Sequence, residues 1–430
     1  MKITLGKERV IVRGIKPEEK AWGPYQFPRP YHLGDRIMVS VHVEDDNLKT
    51  YGDTCRWFES WDNGKSWKER DSSVAKTCGL KLPNGDRLYL PPISGTKLEG
   101  YSLTDVLFNT PDYDYTKQAV GKQLPLPDGY QTWPGGFMMY AFKAERLPEE
   151  LAKKEWIGYR IPAGETEPVM ERISLDWPYL THIVYKDTDG TLTLKGHFPR
   201  GNLKLGPDNA LWVTAFSGEG HLNPKNGQYS PYYSAELFRS DDNGHTFTQW
   251  AHMEYPADGD EYPYKSGGFS DSDIEFMPDG SIVWFMRSVW GPTMGCEWSP
   301  MYMSRSEDGG KTWSKPKPFA PTGILPRLCK LSCGAILLCY ARPGMFIQGT
   351  LDGVEWTEPV VAMTPEDRSH LLNEPVEVPT FHQWAGACNN PELIPIEDNK
   401  ALFVYSDSYY PDEDGTRRKT ILCRPVTVEL

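Results

Sequence analysis

Ser306-Glu307-Asp308-Gly309-Gly310-Lys311-Thr312-Trp313 decides the fold, because its pattern returns along the chain. Ser60-Trp-Asp62-Asn-Gly64-Lys-Ser66-Trp67 and Ser240-Asp-Asp242-Asn-Gly244-His-Thr246-Phe247 spell the same Ser-x-Asp-x-Gly-x-Ser/Thr-aromatic, and Thr350-Leu-Asp352-Gly353-Val-Glu-Trp356 is a copy one residue shorter. The chemistry is local. An Asp carboxylate accepts turn N–H bonds, Gly supplies a backbone angle other residues avoid, and the aromatic ring plugs inward. Asp62 and Asp242 lie 180 residues apart and Asp242 and Asp308 lie 66 apart, which fits a repeating unit of about 60 residues.

Outward from these turns, six segments share a second pattern, in which an apolar alternating run is followed by a tight turn and a run of β-branched and aromatic residues. They turn at Gly34, Gly85, Asn209, Gly280, Gly334 and Asn399, and each reads as a β-hairpin.

Together the two signals resemble the Asp-box repeat of the sialidase (neuraminidase) superfamily, and the resemblance covers nearly the whole chain. It implies an all-β fold, a six-bladed β-propeller of four-stranded blades, built as a single domain over 1–430. Radial repetition leaves few exposed sheet edges. The blades are expected at 20–74, 75–192, 193–258, 259–320, 321–380 and 381–430, closed by pairing of the N-terminal MKITLGKERVIV with the C-terminal KTILCRPVTVEL. The second blade is too long for the period and should carry an insertion at about 93–160, including a helical stretch from Leu147 to Trp156.

Forty-six basic against fifty-nine acidic residues give a net charge of −13, which disfavours nucleic acid as a partner. Fifteen Trp, 23 Tyr and 16 Phe supply rings that fill sheet cores and, where exposed, stack on sugars, so the expected partner is a carbohydrate. No apolar run is long enough to cross a membrane and the start lacks a signal-peptide core, so the expected location is cytoplasmic. None of the eight cysteines is spaced for zinc or redox chemistry, and no metal or cofactor is expected.

If hairpin turns and motif turns occupy one end of the ring, the site belongs at the other, where first strands begin and second strands end. Seven residues before each turn stand Phe27, Cys78, Asn202, Asp273, Arg327 and Glu392. Near the ends of the second strands stand His42, Arg287, Arg342 and Asp407. Arg287 closes the otherwise apolar SIVWFMR, so it needs a carboxylate such as Asp271 or Asp273, or a ligand. With Arg327 and Arg342 it forms a cationic patch suited to a carboxylate or sulfate. His42, followed by Glu44 and Asp46, is a candidate acid, base or orienting group. His221 and His382 are further loop histidines, and no local ligand spacing makes a metal site of them.

The sialidase resemblance implies an arginine triad, a tyrosine nucleophile paired with a glutamate, and an aspartate acid/base. By position, Gln26 stands where the first arginine belongs, Asp271 where the glutamate belongs and Arg287 at the second arginine; Cys388-Asn389-Asn390 replaces the tyrosine, while Asp46 or Asp53 takes the acid/base position. Tyr159-Arg160-Ile161-Pro162 matches an arginine motif only in letters, because it lies in the expected insertion. The leading reading is a glycoside hydrolase, exo-acting on a neutral or acidic oligosaccharide, with Asp46 or Glu44 and Asp271 or Asp273 as its carboxylate pair. The alternatives are a lyase using His42 or a tyrosine with arginine neutralising a uronate, and a non-catalytic glycan-binding propeller.

Overall fold

The computed structural model describes residues 1–17, 19, 24–44, 55–92, 95–100, 113–114, 138–143, 147–178, 180–186, 190–197, 199–217, 221–222, 229–230, 233–255, 266–290, 300–321, 323–341, 344–364 and 390–430. They are almost entirely β. Among them the single helical element is a 3-10 turn at Ser72–Thr77, and no helix is long and apolar enough to cross a membrane.

All six hairpins form, and each opens an antiparallel four-stranded meander. The first comprises Gln26–His32, Ile37–His42, Cys55–Ser60 and Lys68–Arg70. The second comprises Leu80–Lys81, Arg87–Tyr89, Glu155–Ile161 and Val169–Asp176. In the third, Lys204–Leu205, Leu211–Ser217, Ser234–Ser240 and Thr246–Glu254 follow one another. The fourth runs Ser266–Phe276, Ile282–Trp290, Met301–Ser306 and Lys317–Ala320, and the fifth Ile324–Lys330, Ile336–Ala341, Met345–Thr350 and Val360–Met363. The sixth has three C-terminal strands, Glu392–Glu397, Lys400–Pro411 and Arg417–Glu429. The N-terminal Lys2–Leu5 pairs with the last of them from Lys2↔Glu429 to Leu5↔Val426, as expected of the closing strand. Arg9–Arg13 pairs with the same strand farther back.

Turn chemistry follows the sequence. Gly34, Gly85, Asn209, Gly280 and Gly334 all take positive φ. The sixth turn differs, because Asn399 instead donates its side-chain amide to Val428 O at 3.0 Å.

The second and third meanders are one sheet, which the hairpin count did not anticipate. Their outermost strands pair in parallel, Ser174↔Thr246 to Asp176↔Thr248, giving an eight-stranded sheet in which the outer edge of each meander is covered by the other. The insertion also differs from 93–160. A separate five-stranded sheet takes Thr96–Lys97, Tyr113–Asp114 and Met138–Lys143 from one segment and Thr181–Lys186 and Leu192–Leu194 from another. Glu155–Ile161 belongs instead to the second meander. No helix forms over 147–156. In Glu155–Ile161 burial alternates, with Trp156, Gly158 and Arg160 inward, and the Trp156 ring meets Phe238 at 5.1 Å and Phe247 at 5.3 Å. That packing overrides helix propensity.

The core is distributed between meanders rather than gathered in one centre. Val39 and Leu402 share one cluster, Trp57 and Tyr89 another, Leu88 and Phe238 a third; Trp212 with Trp284, Phe285 with Leu338, and Leu337 with Phe403 continue the series. Each meander thus packs on the next, and the sixth packs on the first.

The repeated turn explains part of that contact. In the Ser306 copy, Ser306 Oγ accepts Gly310 N–H at 2.8 Å, while Asp308 Oδ1 accepts Lys311 and Thr312 N–H at 3.0 and 2.9 Å. The Ser60 and Ser240 copies repeat these bonds, and in the shorter copy Thr350 and Asp352 make their equivalents. At Gly64, Gly244, Gly310 and Gly353, φ lies between 72° and 84°, and a Cβ there would strike the preceding meander: Leu402, Leu88, Trp250 and Met277 respectively. A donor from that neighbour also reaches each turn. Arg160 bonds Asn243 O at 3.0 Å, Trp250 bonds Gly309 O at 2.9 Å, Arg305 bonds Asp352 O at 3.0 Å, and the Cys423 thiol bonds Gly64 O at 3.6 Å. Arg160, also paired with Glu171 and Asp86, is therefore a strut between the second and third meanders.

Candidate functional site

The first strands of the fourth to sixth meanders lie side by side, the second strand of the third lies against the first strand of the fourth, and polar contacts cross these seams. Thr214 Oγ1 donates to Ser272 O at 2.6 Å; Leu328 N–H donates to Asp273 Oδ2 at 2.9 Å; Lys204 Nζ reaches Glu275 and Asp273 at 3.0 and 3.1 Å and Leu328 O at 2.9 Å. Arg327 Nε donates to Glu392 Oε1 at 2.8 Å, and Asn202 Nδ2 meets the other carboxylate oxygen at 3.3 Å. Four of the residues standing seven before a hairpin turn, namely Asn202, Asp273, Arg327 and Glu392, thus belong to one buried network.

The network locks its members. Asp273 spends Oδ1 on Ile274 N–H and Oδ2 on Leu328 N–H and Lys204. Burial would lower the Lys204 pKa, but Asp273 and Glu275 outweigh it and raise it, so the ammonium stays charged. Arg327 also donates to Pro326 O and Arg200 O, which leaves its fork engaged on three sides.

Asp271 and Arg287 stand apart from that saturation. The fourth meander carries a β-bulge between Phe269 and Ser272, so Ser270 and Asp271 both oppose Arg287. Comparable bulges fall between Gln26 and Arg29 and between Ile324 and Arg327, where Phe27-Pro28 and Leu325-Pro326 sit. Proline has no N–H to lose there, and Phe27 and Leu325 take the positive φ of a strained bend. In the fourth meander Asp271 occupies the place of those prolines. Arg287 Nη1 meets Asp271 Oδ2 at 2.9 Å, with side chains 18% and 16% exposed, enough for a ligand to reach. Burial alone would raise the Asp271 pKa, but Arg287, then Arg200 and Arg327, outweigh it and hold the carboxyl below its ordinary value. It is ionised at neutral pH.

Several buried polar atoms near the starts of first strands or ends of second strands have no hydrogen-bond partner among the described residues: both amide atoms of Gln26, Arg287 Nε, Ser270 Oγ and Asn390 Nδ2. Native interiors leave few such groups, and each calls for a ligand or ordered water.

The remaining candidates are placed as follows. Gln26 pairs with His42 across the first hairpin, and His42 is buried with Phe27 edge-on at 6.3 Å. Glu44 follows that strand and is partly exposed. Asp407 is buried and accepts Tyr409 N–H at 2.8 Å. His221 lies in the short strand His221–Leu222. Asp46, Asp53, Arg342 and His382 lie outside the described residues.

With this geometry in view, the chain is similar to a protein of unknown function from Dyadobacter fermentans DSM 18053 (15% identity, 99% of each chain, TM-score 0.56). It is also similar to a mutant of NanB sialidase from Streptococcus pneumoniae (12% identity, 97% of this chain and 70% of that one, TM-score 0.45). A third is the α-L-arabinofuranosidase Arb93A from Fusarium graminearum (13% identity, 97% and 98%, TM-score 0.43). Of these three, the first shares the fold, and its own function is unknown. No protein-family model and no curated protein matches the chain.

Sequence reasoning missed Arg200, Lys204 and Glu275. Arg200 precedes Asn202 by two residues, a signal that was available. For Lys204 and Glu275 no signal existed, because each looks like an ordinary strand residue until a neighbouring meander supplies its partner.

Proposed function

We propose that this chain is a six-bladed β-propeller glycoside hydrolase of sialidase-like architecture, a single domain over 1–430, acting on a carbohydrate where the first strands begin. Support for the ring comes from six meanders that each pack on the next, closed by the N-terminal strand and by the Gly64 turn against Leu402. Support for the site comes above all from the Asp271–Arg287 pair at the bulge. There an ionised carboxylate and an arginine with an unspent Nε lie beside the orphaned hydroxyl of Ser270. A sugar's hydroxyls are both donors and acceptors and match such groups.

Asp271 is the carboxylate that takes a proton from the attacking water, or pairs with the group that does. Glu44 or Asp46, from the segment after the first hairpin, is the acid that protonates the departing glycosidic oxygen. The bond from anomeric carbon to that oxygen breaks as the bond to water oxygen forms, a single displacement that inverts the anomeric centre and requires the two carboxyls to stand roughly 6.5–9.5 Å apart. Arg287 holds substrate through its part-exposed guanidinium. Asp273 and Arg327 act indirectly, as the fixed frame beneath the pair. Gln26, His42, Asn390 and Asp407 line the same opening from the first and sixth blades.

The test is incubation of the purified protein with a panel of neutral and acidic oligosaccharides, beside Asp271→Asn. New reducing ends without ultraviolet absorbance, lost in the variant, are expected. An absorbing unsaturated product would make the protein a lyase, and retention of an unaltered glycan would make it a binding module; either result overturns the proposal.

A further inference from the structure

Asp271 feels guanidinium groups from different meanders. Arg287 belongs to its own hairpin, whereas Arg200 comes from the segment that leads into the first strand of the third meander. That segment is set hard against the bulge. The N–H groups of Arg200 and Gly201 both donate to Thr214 O, at 2.9 and 3.0 Å, and Thr214 Oγ1 donates to Ser272 O at 2.6 Å. Gly201 permits the approach: a Cβ there would lie 2.1 Å from Thr214 Oγ1 and 3.2 Å from the carbonyl oxygen of Ser272, the residue after Asp271.

The Arg200 side chain is carried by the same neighbours. Its guanidinium lies 4.9 Å over the Phe216 ring, which fixes its plane; Phe216 leans on Tyr233 at 5.7 Å, and Tyr233 O accepts the N–H of Phe269 at 2.9 Å. Phe269 opens the bulge and Ser272 closes it. The third meander therefore grips the fourth on both sides of Asp271, and Arg200 is tied to both grips. Its carbonyl also accepts Arg327 Nη2, from the fifth meander, at 3.3 Å.

Charge explains why a second cation matters there. Burial would raise the Asp271 pKa, but Arg287, then Arg200 and Arg327, outweigh it. Arg327 is bonded to Glu392, and Lys204 is shared by Asp273 and Glu275. Once a substrate draws on Arg287, the Asp271 carboxylate, 16% exposed, loses part of its nearest counter-charge. Without another cation it would take up a proton or turn away from the reacting centre.

We propose that Arg200 is a positioning residue, which keeps Asp271 an aimed carboxylate while Arg287 engages the substrate. This role rests on the reaction centre proposed above and deepens it, because it makes the acid limb of activity depend on a residue that touches no substrate.

The test is a pH titration of protein labelled with 13C at its aspartate carboxyls, in which the Asp271 signal is the one missing from Asp271→Asn. Arg200→Met should move its midpoint up by about one pH unit, and Arg200→Lys should return it to within about 0.3 of wild type. An unmoved midpoint in Arg200→Met overturns the proposal, whether or not any oligosaccharide is cleaved. So does an equal rise in both variants, which a merely structural effect would give. On an oligosaccharide that the wild-type protein cleaves, the acid limb of kcat/KM should rise with the midpoint in Arg200→Met and return in Arg200→Lys, with KM changed by less than about twofold. A KM about tenfold higher with the acid limb unmoved would make Arg200 a substrate contact and overturn its positioning role. A moved midpoint in a protein that cleaves no oligosaccharide removes the reaction centre and leaves the coupling of Arg200 to Asp271 supported.

Discussion

The motif turns and the strand starts obey opposite rules. At the turns, four copies make nearly the same bonds, put a glycine at nearly the same φ and meet the same kind of neighbour, since each has one packing task to perform. At the strand starts, equivalent bulges hold Phe27-Pro28, Ser270-Asp271 and Leu325-Pro326, and only the middle one presents a carboxylate to an arginine. Uniformity marks what holds the sheets together, and difference marks where chemistry is possible.

Four experiments can break or sharpen that contrast. The largest effect is expected at Arg287→Ala: turnover should fall by about a thousandfold, roughly 4 kcal/mol of barrier, with the melting temperature little changed. Near-normal kcat/KM would move the reaction away from the bulge. Next, Glu392→Gln leaves the Arg327 guanidinium buried without its counter-charge, and urea unfolding should show a loss of about 3 kcal/mol. A stability equal to wild type would mean the strand-start network contributes little to folding.

Smaller effects belong to the turns. Ser306→Ala removes the acceptor for Gly310 N–H and should cost about 1–2 kcal/mol with turnover unchanged; a well-folded but inactive protein would contradict the division of labour. Least is expected from Asp308→Asn. Hydrogen bonds from Thr312, then Ser306 and Lys311, hold the Asp308 pKa down, from 3.8 to about 2. Because the folded value is depressed, the stabilisation is present above the unfolded pKa and fades as pH falls from about 4 to about 2. Asp308→Asn should flatten that acid limb of the thermal-melting curve, and an unaltered limb would show that the turn's carboxylate does not matter.

The hairpins were legible because turn residues and alternating strands report local physics. The motif's carboxylate and hydroxyl bonds were equally so, being closed within eight residues. Glu155–Ile161 was not: a helix-favouring approach becomes a strand because Trp156 packs on Phe238 and Phe247, more than eighty residues away. The parallel seam Ser174↔Thr246 leaves no trace in either strand's composition. At the site, Asp271 and Arg287 could be paired on paper because one hairpin carries both. Asp273 and Arg327 carry no sign in their letters that their hydrogen-bonding capacity is already consumed.

Asp62, Gly64 and their repeats, the turn glycines and the two terminal strands were determined by the sequence itself, since each bond or periodicity closes over a few residues or is written twice. Which charges are spent and which remain open was decided only by tertiary structure. Lys204, Asp273, Arg327 and Glu392 neutralise one another across seams between sheets, and their partners stand up to 190 residues apart, as Asn202 and Glu392 do. The free energy of a buried charge depends on what surrounds it in space, and for these residues the surroundings come from other sheets.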